Sequence, residues 1–281
     1  MTAISGSTQL FPVIGWPVEQ VKAPTLFNAW FARNGIDAAV VPLKVPPALC
    51  VDTIRMLMRL PNVGGILVSI PHKPVTLEAV DRVSERARLA GACNVVHRDA
   101  DCATVGDLID GEGFMRALDR TSAHAPLDWP RARALVVGAG GVGCAIAAAL
   151  ASRGIGGLGI VDNRAANAED LASRLAAVFP ATRIGLAAPQ ARGYDIVINA
   201  TPLGMDPADA LPLELDGIAA GAIVADCVMK VEMTPLLSDA RRRGCLIQRG
   251  REMLLEQAPL YLELFGWPGV SSADFRTLGV L

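Results

Sequence analysis

The sequence predicts an α/β protein of two domains, the first built on a mainly parallel sheet and the second on a dinucleotide-binding β-α-β unit. Three observations carry that prediction. Apolar runs of strand length alternate with stretches of helical period between residues 11 and 89, the pattern of a parallel sheet with covering helices. A polar segment from Asp119 to Arg133 holds Pro126 and Pro130 and reads as a linker. Beyond it a buried run enters Gly138-Ala139-Gly140-Gly141-Val142-Gly143 and an alanine-rich helix.

In chain order, Phe11 to Gly15 reads as a strand that ends at Trp16-Pro17. A helix through Thr25 to Phe31 follows Ala23-Pro24 and closes near Asn34-Gly35, where glycine suits a helix C-terminus. Ala38 to Leu43 is a second strand, Ala48 to Leu60 has a helical period, Gly64 to Ile70 is a third strand, and Val75 to Leu89 reads as helix again. Two short extended pieces, around Cys93-Asn94-Val95-Val96 and Ala103-Thr104-Val105, form a hairpin leading to Asp110-Gly111. After the linker come strands at Ala134 to Val137 and Leu158 to Val161, with a helix from Cys144 to Ser152 between them. A helix near Ala168 to Val178, strands at Asp195 to Asn199 and Ala222 to Asp226, and an amphipathic run from Glu252 to Phe265 complete the reading.

Composition narrows the function. At 281 residues, roughly 75% of the unfolded surface can be buried, so core volume does not limit the fold. Lys and Arg total 26 against 28 Asp and Glu, a net charge of −2. No basic field therefore points to nucleic acid or an anionic membrane. There is no signal-like N-terminus and no run of 18 apolar residues, which leads to an expectation of a cytoplasmic protein without a membrane partner. The six cysteines never form a C-x-x-C pair and read as reduced packing thiols. With three histidines in the chain, no metal-ligand cluster is expected, and His72 is read as structural.

Chemistry concentrates at Val68-Ser69-Ile70-Pro71-His72-Lys73. Proline lacks the ladder N–H and holds its predecessor extended, so the strand ends there and Lys73 falls on a loop at its carboxyl end. Ligands of open α/β sheets bind at such ends. The glycine run follows a strand and opens a helix, so backbone N–H groups and the helix N-terminus can receive a pyrophosphate. Asp162 closes the next strand, 24 positions after Gly138, where an acidic residue accepts the ribose 2′-hydroxyl.

Four motifs, Ile70-Pro71-His72-Lys73, Gly91-Ala92-Cys93-Asn94, Asp110-Gly111 and Asn199-Ala200-Thr201-Pro202-Leu203-Gly204-Met205, resemble the shikimate/quinate dehydrogenase family in order and spacing, and Gly250, Met253 and Gln257 extend the match. The resemblance implies a substrate domain over 1–118, completed by helices in 250–281, and a Rossmann-like NAD(P)-binding domain over 119–249. It implies Lys73 and Asp110 as the catalytic pair, with Asn94 and Gln257 on substrate hydroxyls. It also implies a cyclic hydroxy acid as substrate and a place in aromatic amino acid biosynthesis, in a monomer or homodimer. Burial would lower the Lys73 pKa while Asp110 would raise it, so the pair could tune the amine as a proton carrier. The cofactor would meet Gly138, Gly140, Gly141, Val142, Gly143, Asp162, Asn163, Arg164, Thr201, Met205 and Gly250.

The chain departs from the family pattern where the substrate carboxylate is held. The two serines of the family's Ser-x-Ser pair are Val21 and Ala23 here. Hydrogen bonds to a charged group contribute about 1.5–3 kcal/mol each, so losing two weakens an acid substrate by roughly 3–6 kcal/mol, on the order of a hundredfold to ten-thousandfold. Leu108-Ile109 stands for the usual Asn-Thr, Met229 for a tyrosine, and Ser69 for a threonine whose hydroxyl it keeps. An altered substrate is therefore expected. For the cofactor, two registers are open: one puts Arg164 on a 2′-phosphate, the other puts Asp162 and Asn163 where NADP-using relatives carry Asn-Arg. The second favours NAD, because a carboxylate repels the phosphate, with NADP as the other choice. A folate-linked dehydrogenase and a non-catalytic dinucleotide sensor are the alternative readings.

Overall fold

The computed structural model describes residues 4–206 and 208–280. The chain divides into two compact units, Met1–Ile109 with Gln257–Leu281, and Asp110–Glu256.

The first unit begins with β1 (Gln9–Gly15), α1 (Ala23–Arg33), β2 (Ala38–Lys44), α2 (Cys50–Leu57) and β3 (Ile66–Val68). It continues with β4 (Arg82–Val83), α3 (Glu85–Ala90), β5 (Val95–Arg98) and β6 (Thr104–Asp107). The sheet order is β2-β1-β3-β5-β6-β4. Strands β2, β1 and β3 are mutually parallel, and the hairpin β5–β6 joins β3 antiparallel. The expected alternation and hairpin are both present. The core beneath is aliphatic, with Ile14, Ile54, Val63, Ile66 and Val96 fully buried. Aromatic packing ties the C-terminal residues to β1: the rings of Phe11 and Phe265 lie 4.6 Å apart, and Phe31 and Trp267 5.3 Å apart.

One element differs from expectation. Residues 75–89 do not form a continuous helix but a 3₁₀ turn (Val75–Ala79), then β4, then α3. The cause is local pairing. Asp81 donates its N–H to the Thr104 carbonyl at 3.0 Å and accepts both the Thr104 N–H and hydroxyl on its carboxylate, at 2.8 and 2.7 Å. That fixes the backbone extended, after which Ser84 caps α3 by accepting the Ala87 N–H at 3.2 Å.

The second unit contains α4 (Asp110–Thr121), β7 (Arg133–Val137), α5 (Gly141–Ser152), β8 (Gly157–Val161), α6 (Ala165–Val178), β9 (Arg183–Leu186) and β10 (Ile196–Asn199). It ends with β11 (Ile223–Asp226), α7 (Pro235–Arg242), β12 (Leu246–Gln248) and the first turns of α8 (Gly250–Leu264); a short α9 (Ser272–Arg276) lies in the first unit. Its sheet is parallel throughout, in the order β12-β11-β10-β7-β8-β9, the doubly wound arrangement of a Rossmann-like domain. The unit boundary falls at Asp110 rather than after residue 118. The reason is packing: a Cβ on Gly111 would run into the Ala145 backbone of α5, so α4 sits directly on α5. Gly250 likewise lies against the Val228 carbonyl, which keeps the start of α8 with this unit up to Glu256.

Candidate active site

In the first unit the chemistry-bearing loop is fixed by backbone bonds that prolong the strands. Ser69 donates its N–H to Ile14 at 2.8 Å, and Ile70 accepts the Trp16 N–H at 2.9 Å. The loop then turns at a cis Ile70–Pro71 bond. His72 is buried, with Nε2 2.8 Å from the Val45 carbonyl. Because a carbonyl accepts, Nε2 carries the hydrogen and Nδ1 is a bare acceptor; it has no partner within the protein. Burial pushes the imidazole below its ordinary pKa, so it is held neutral as a structural wedge.

Lys73 follows, only 8% exposed. Its carbonyl accepts the Cys93 N–H at 2.8 Å, which sets the lysine beside the next residue, Asn94. Asn94 is wholly buried and bonded on every backbone group: its N–H goes to Asp107, while its carbonyl accepts the Val68 N–H and the Tyr261 hydroxyl. Its Oδ1 accepts the Ile109 N–H at 3.0 Å. Its Nδ2 is buried without a partner, an unspent donor of the type that binds a ligand oxygen. Asp110, 4% exposed, comes directly after Ile109 and opens α4. Asp107, the last residue of β6, is structural: burial works to raise its carboxyl, but hydrogen bonds from Arg86 and Ser84 hold it below the ordinary range. Gln257 is buried on α8.

In the second unit Gly138 has φ +105°, a backbone that L side chains rarely adopt, and a Cβ there would lie 2.8 Å from the Ala200 carbonyl. A Cβ on Gly143 would strike the Gly138 carbonyl. Nothing lies within 4 Å of a Cβ built on Gly140, so the backbone there is open to a ligand, at the N-terminus of α5. This donor set fits a pyrophosphate. Gly141 and Val142 follow in the first turn of α5. Asp162 accepts the Ala139 N–H at 2.7 Å, the Arg164 N–H at 2.9 Å and Asn167 Nδ2 at 3.2 Å, which joins the glycine turn to the end of β8. Asn163 and Arg164 are exposed.

Sequence reasoning missed how the loop after β10 is held. Asn199 Oδ1 accepts both the N–H and the hydroxyl of Thr201, and its Nδ2 donates to Leu203 and to Asp226. Asp226 also accepts the Thr234 hydroxyl at 2.7 Å, and burial raises its carboxyl. An Asn and an Asp closing adjacent strands were the only signal for this network. Thr201 and Met205 are thereby set on one tight loop. Beside Gly250, Glu232 binds Arg249 and Arg251 at 2.6 and 3.1 Å.

A family model, the shikimate dehydrogenase substrate binding domain, matches residues 13–96, and a second, the ThiF family, matches residues 116–178. The shikimate dehydrogenase (NADP(+)) of Rhodospirillum rubrum is 38% identical over 95% of this chain and 94% of its own. The chain belongs to the shikimate dehydrogenase family. It is an NAD(P)-dependent oxidoreductase. Among solved structures, the 5-ketofructose reductase of Gluconobacter sp. strain CHM43 is similar at TM-score 0.84 and 28% identity, over 96% of this chain and 97% of that one. The shikimate 5-dehydrogenase of Listeria monocytogenes, solved with shikimate and NAD, is similar at TM-score 0.85 and 26% identity, over 99% and 98%.

The turn leading into α1 presents Val21, half-buried, and Ala23, buried, and the N-cap Lys22 makes no side-chain capping bond. No hydroxyl is present at either position. Leu108 and Ile109, ahead of Asp110, are buried apolar residues. Among the described residues, no helix is long and apolar enough to cross a membrane.

Proposed function

We propose that this protein interconverts a secondary alcohol and a ketone on a polyhydroxylated substrate, using a nicotinamide dinucleotide, and that substrate recognition does not depend on a carboxylate held at the start of α1. The supporting observation is the buried Asn94 Nδ2, unpartnered among the described residues, on the residue after Cys93, whose N–H bonds the Lys73 carbonyl; it is a donor for a substrate hydroxyl, with Lys73 proposed to carry the proton. In oxidation Lys73 takes the hydroxyl proton while the carbinol carbon gives up its hydride; in reduction the ammonium returns the proton to the carbonyl oxygen. Asp110 is the acidic member of the proposed catalytic pair, and Gln257 and Ser69 would supply further contacts to substrate oxygens. The dinucleotide supplies the hydride acceptor or donor. Gly138, Gly140, Gly141, Val142 and Gly143 hold its pyrophosphate, Thr201, Met205 and Gly250 its nicotinamide side, and Asp162 with Asn163 its adenosine ribose.

Two substrate readings follow. A shikimate- or quinate-like cyclic acid accords with the R. rubrum relative's name, and a neutral polyol or hydroxyketone accords with Val21 and Ala23 and with the likeness to 5-ketofructose reductase. The absent hydroxyls favour the neutral substrate. Steady-state rates with shikimate, quinate and 5-ketofructose, each with both cofactors, decide between them. A micromolar KM for shikimate would exclude the neutral reading. Dinucleotide binding without turnover of any hydroxy compound would instead indicate a sensor.

For the cofactor we infer NAD. The Asp162 carboxylate closes β8 and joins the glycine turn, and it opposes a 2′-phosphate. Arg164, which caps α6 and whose guanidinium has no partner among the described residues, is the group that would serve NADP.

A further inference from the structure

A cleft of about 730 Å³ opens on the second unit, lined in part by Arg133, Gly157, Gly159, Arg183, Gly185 and Tyr194. That volume lies within the roughly 300–1,000 Å³ typical of small-molecule sites. The cleft is built by strand register. Arg133, Gly157 and Arg183 are lateral neighbours on β7, β8 and β9, and Gly159 and Gly185 are the next such pair. Laterally paired residues project from the same face of a sheet, so Arg133 and Arg183 flank glycines that carry no side chains of their own, with the Arg133 stem lying over Gly157. On this face Leu135 packs with Leu236 and Leu237 of α7, but α7 lies over β11 and β12. Over β8 the cover is Tyr194 and Ala187, both against Gly159. A Cβ on Gly185 would meet nothing within 4 Å. The backbone of the edge strand is therefore bare to a flat molecule.

The charges around it are unneutralised. The Arg133 guanidinium stands 4.8 Å over the Tyr194 ring, and among the described residues neither it nor Arg183 has a carboxylate partner. The neighbouring Asp195 spends one oxygen on the Arg133 backbone N–H at 2.8 Å rather than on its side chain. Two cations left unpaired across one strand, beside an aromatic ring and above bare peptide, suit a planar anion.

We propose that this cleft binds an aromatic ring carrying a carboxylate or phosphate, the ring lying on the open backbone at Gly185 beside Tyr194 and the anionic group held by Arg183 and Arg133. The two arginines stand at the amino ends of β7 and β9, from which the cleft runs along the edge strand to Leu186, whereas the glycine turn follows the carboxyl end of β7. The anionic group at the arginines and the pyrophosphate at the glycine turn therefore lie at opposite ends of β7.

The test is calorimetric titration of the full chain, saturated with dinucleotide, with phthalate and phenyl phosphate. Cyclohexane-1,2-dicarboxylate and inorganic phosphate serve as non-planar and ring-free controls. At least one aromatic probe is expected to bind saturably, with both controls about tenfold weaker or worse. Arg183→Ala, which removes a charged hydrogen-bond donor, and Gly185→Val, which fills an open position, are each expected to weaken the aromatic probe by about tenfold while leaving kcat and KM of the ligand-free enzyme unchanged. Three results would overturn the proposal: no saturable binding at millimolar concentration, affinity unchanged in both variants, or controls that bind as well as the aromatic probes.

Discussion

Asn94 braces Ile109, its Oδ1 accepting the Ile109 N–H at 3.0 Å. Ile109 is bonded to Asp110, and the carbonyl of Lys73 takes the N–H of Cys93, the residue before Asn94. The amide side chain thus holds the backbone just ahead of Asp110, the preceding residue's N–H holds that of Lys73, and the other side-chain atom, Nδ2, has no partner among the described residues. Asn94→Ala should act twice. It strands the buried Ile109 N–H, at a cost of about 1–3 kcal/mol read from the urea midpoint, and it lowers kcat/KM beyond what that instability explains.

Lys73→Ala should lower kcat by about 10²–10⁴, the usual contribution of a positioned proton carrier. Dinucleotide affinity should change less than twofold, because the glycine turn lies in a separate unit. Single-turnover kinetics and a cofactor titration separate the two quantities. Loss of cofactor binding equal to the loss of rate would remove Lys73 from its assigned role.

The double substitution Val21→Ser and Ala23→Ser should restore an anchor for an acid. Two hydrogen bonds to a carboxylate are worth roughly 3–6 kcal/mol, so kcat/KM for shikimate should rise by about a hundredfold or more, with little change for a neutral hydroxyketone. An equal gain for both substrates would show that the start of α1 does not face the carboxylate.

Asp162→Asn tests cofactor choice. Wild-type kcat/KM should favour NAD, and the variant should shift toward NADP because the charge opposing the 2′-phosphate is gone. A wild-type enzyme that strongly prefers NADP would reverse the assignment and put Arg164 in its place.

His72 sets a pH dependence of stability. Its folded pKa is depressed by burial, so the unfolded imidazole, with an ordinary value near 6.5, binds a proton that the folded one rejects. Stability is fully present above pH 6.5 and is lost as pH falls toward the folded pKa. Urea unfolding at pH 7.5 and 5.5 should show this loss in wild type and a smaller loss in His72→Gln. An identical pH dependence in the two proteins would assign the effect to other groups.

Much of the fold was legible because periodicity and turn chemistry are local. The alternation from β1 to β3, the hairpin around Asp99 and the glycine turn after β7 each have residue types that tolerate few other conformations. The helix expected over 75–89 failed for a non-local reason: Asp81 finds Thr104, 23 residues away, and pairs its backbone extended. Strands β9 and β12, three or four residues long, have too little sequence to show a period; register beside β8 and β11 makes them strands. The compact units divide at Asp110, which the sequence does not announce, since a polar linker marks a break but not which side keeps the helix before it.

The sequence by itself determined that a dinucleotide domain follows an α/β domain, that Lys73 lies on a loop after a strand, and that the serines expected near α1 are absent. Those facts depend on residue identity and spacing, which the chain carries openly. Only the tertiary structure decided that Asn94 braces Ile109 and keeps one donor unspent, that His72 is a neutral wedge on Val45, and that Asn199 and Asp226 hold the loop of Thr201 and Met205. Each of these is a hydrogen bond between groups distant in sequence and buried together. Burial is what forces such groups to pair, because an unpaired polar atom costs far more inside the protein than in water.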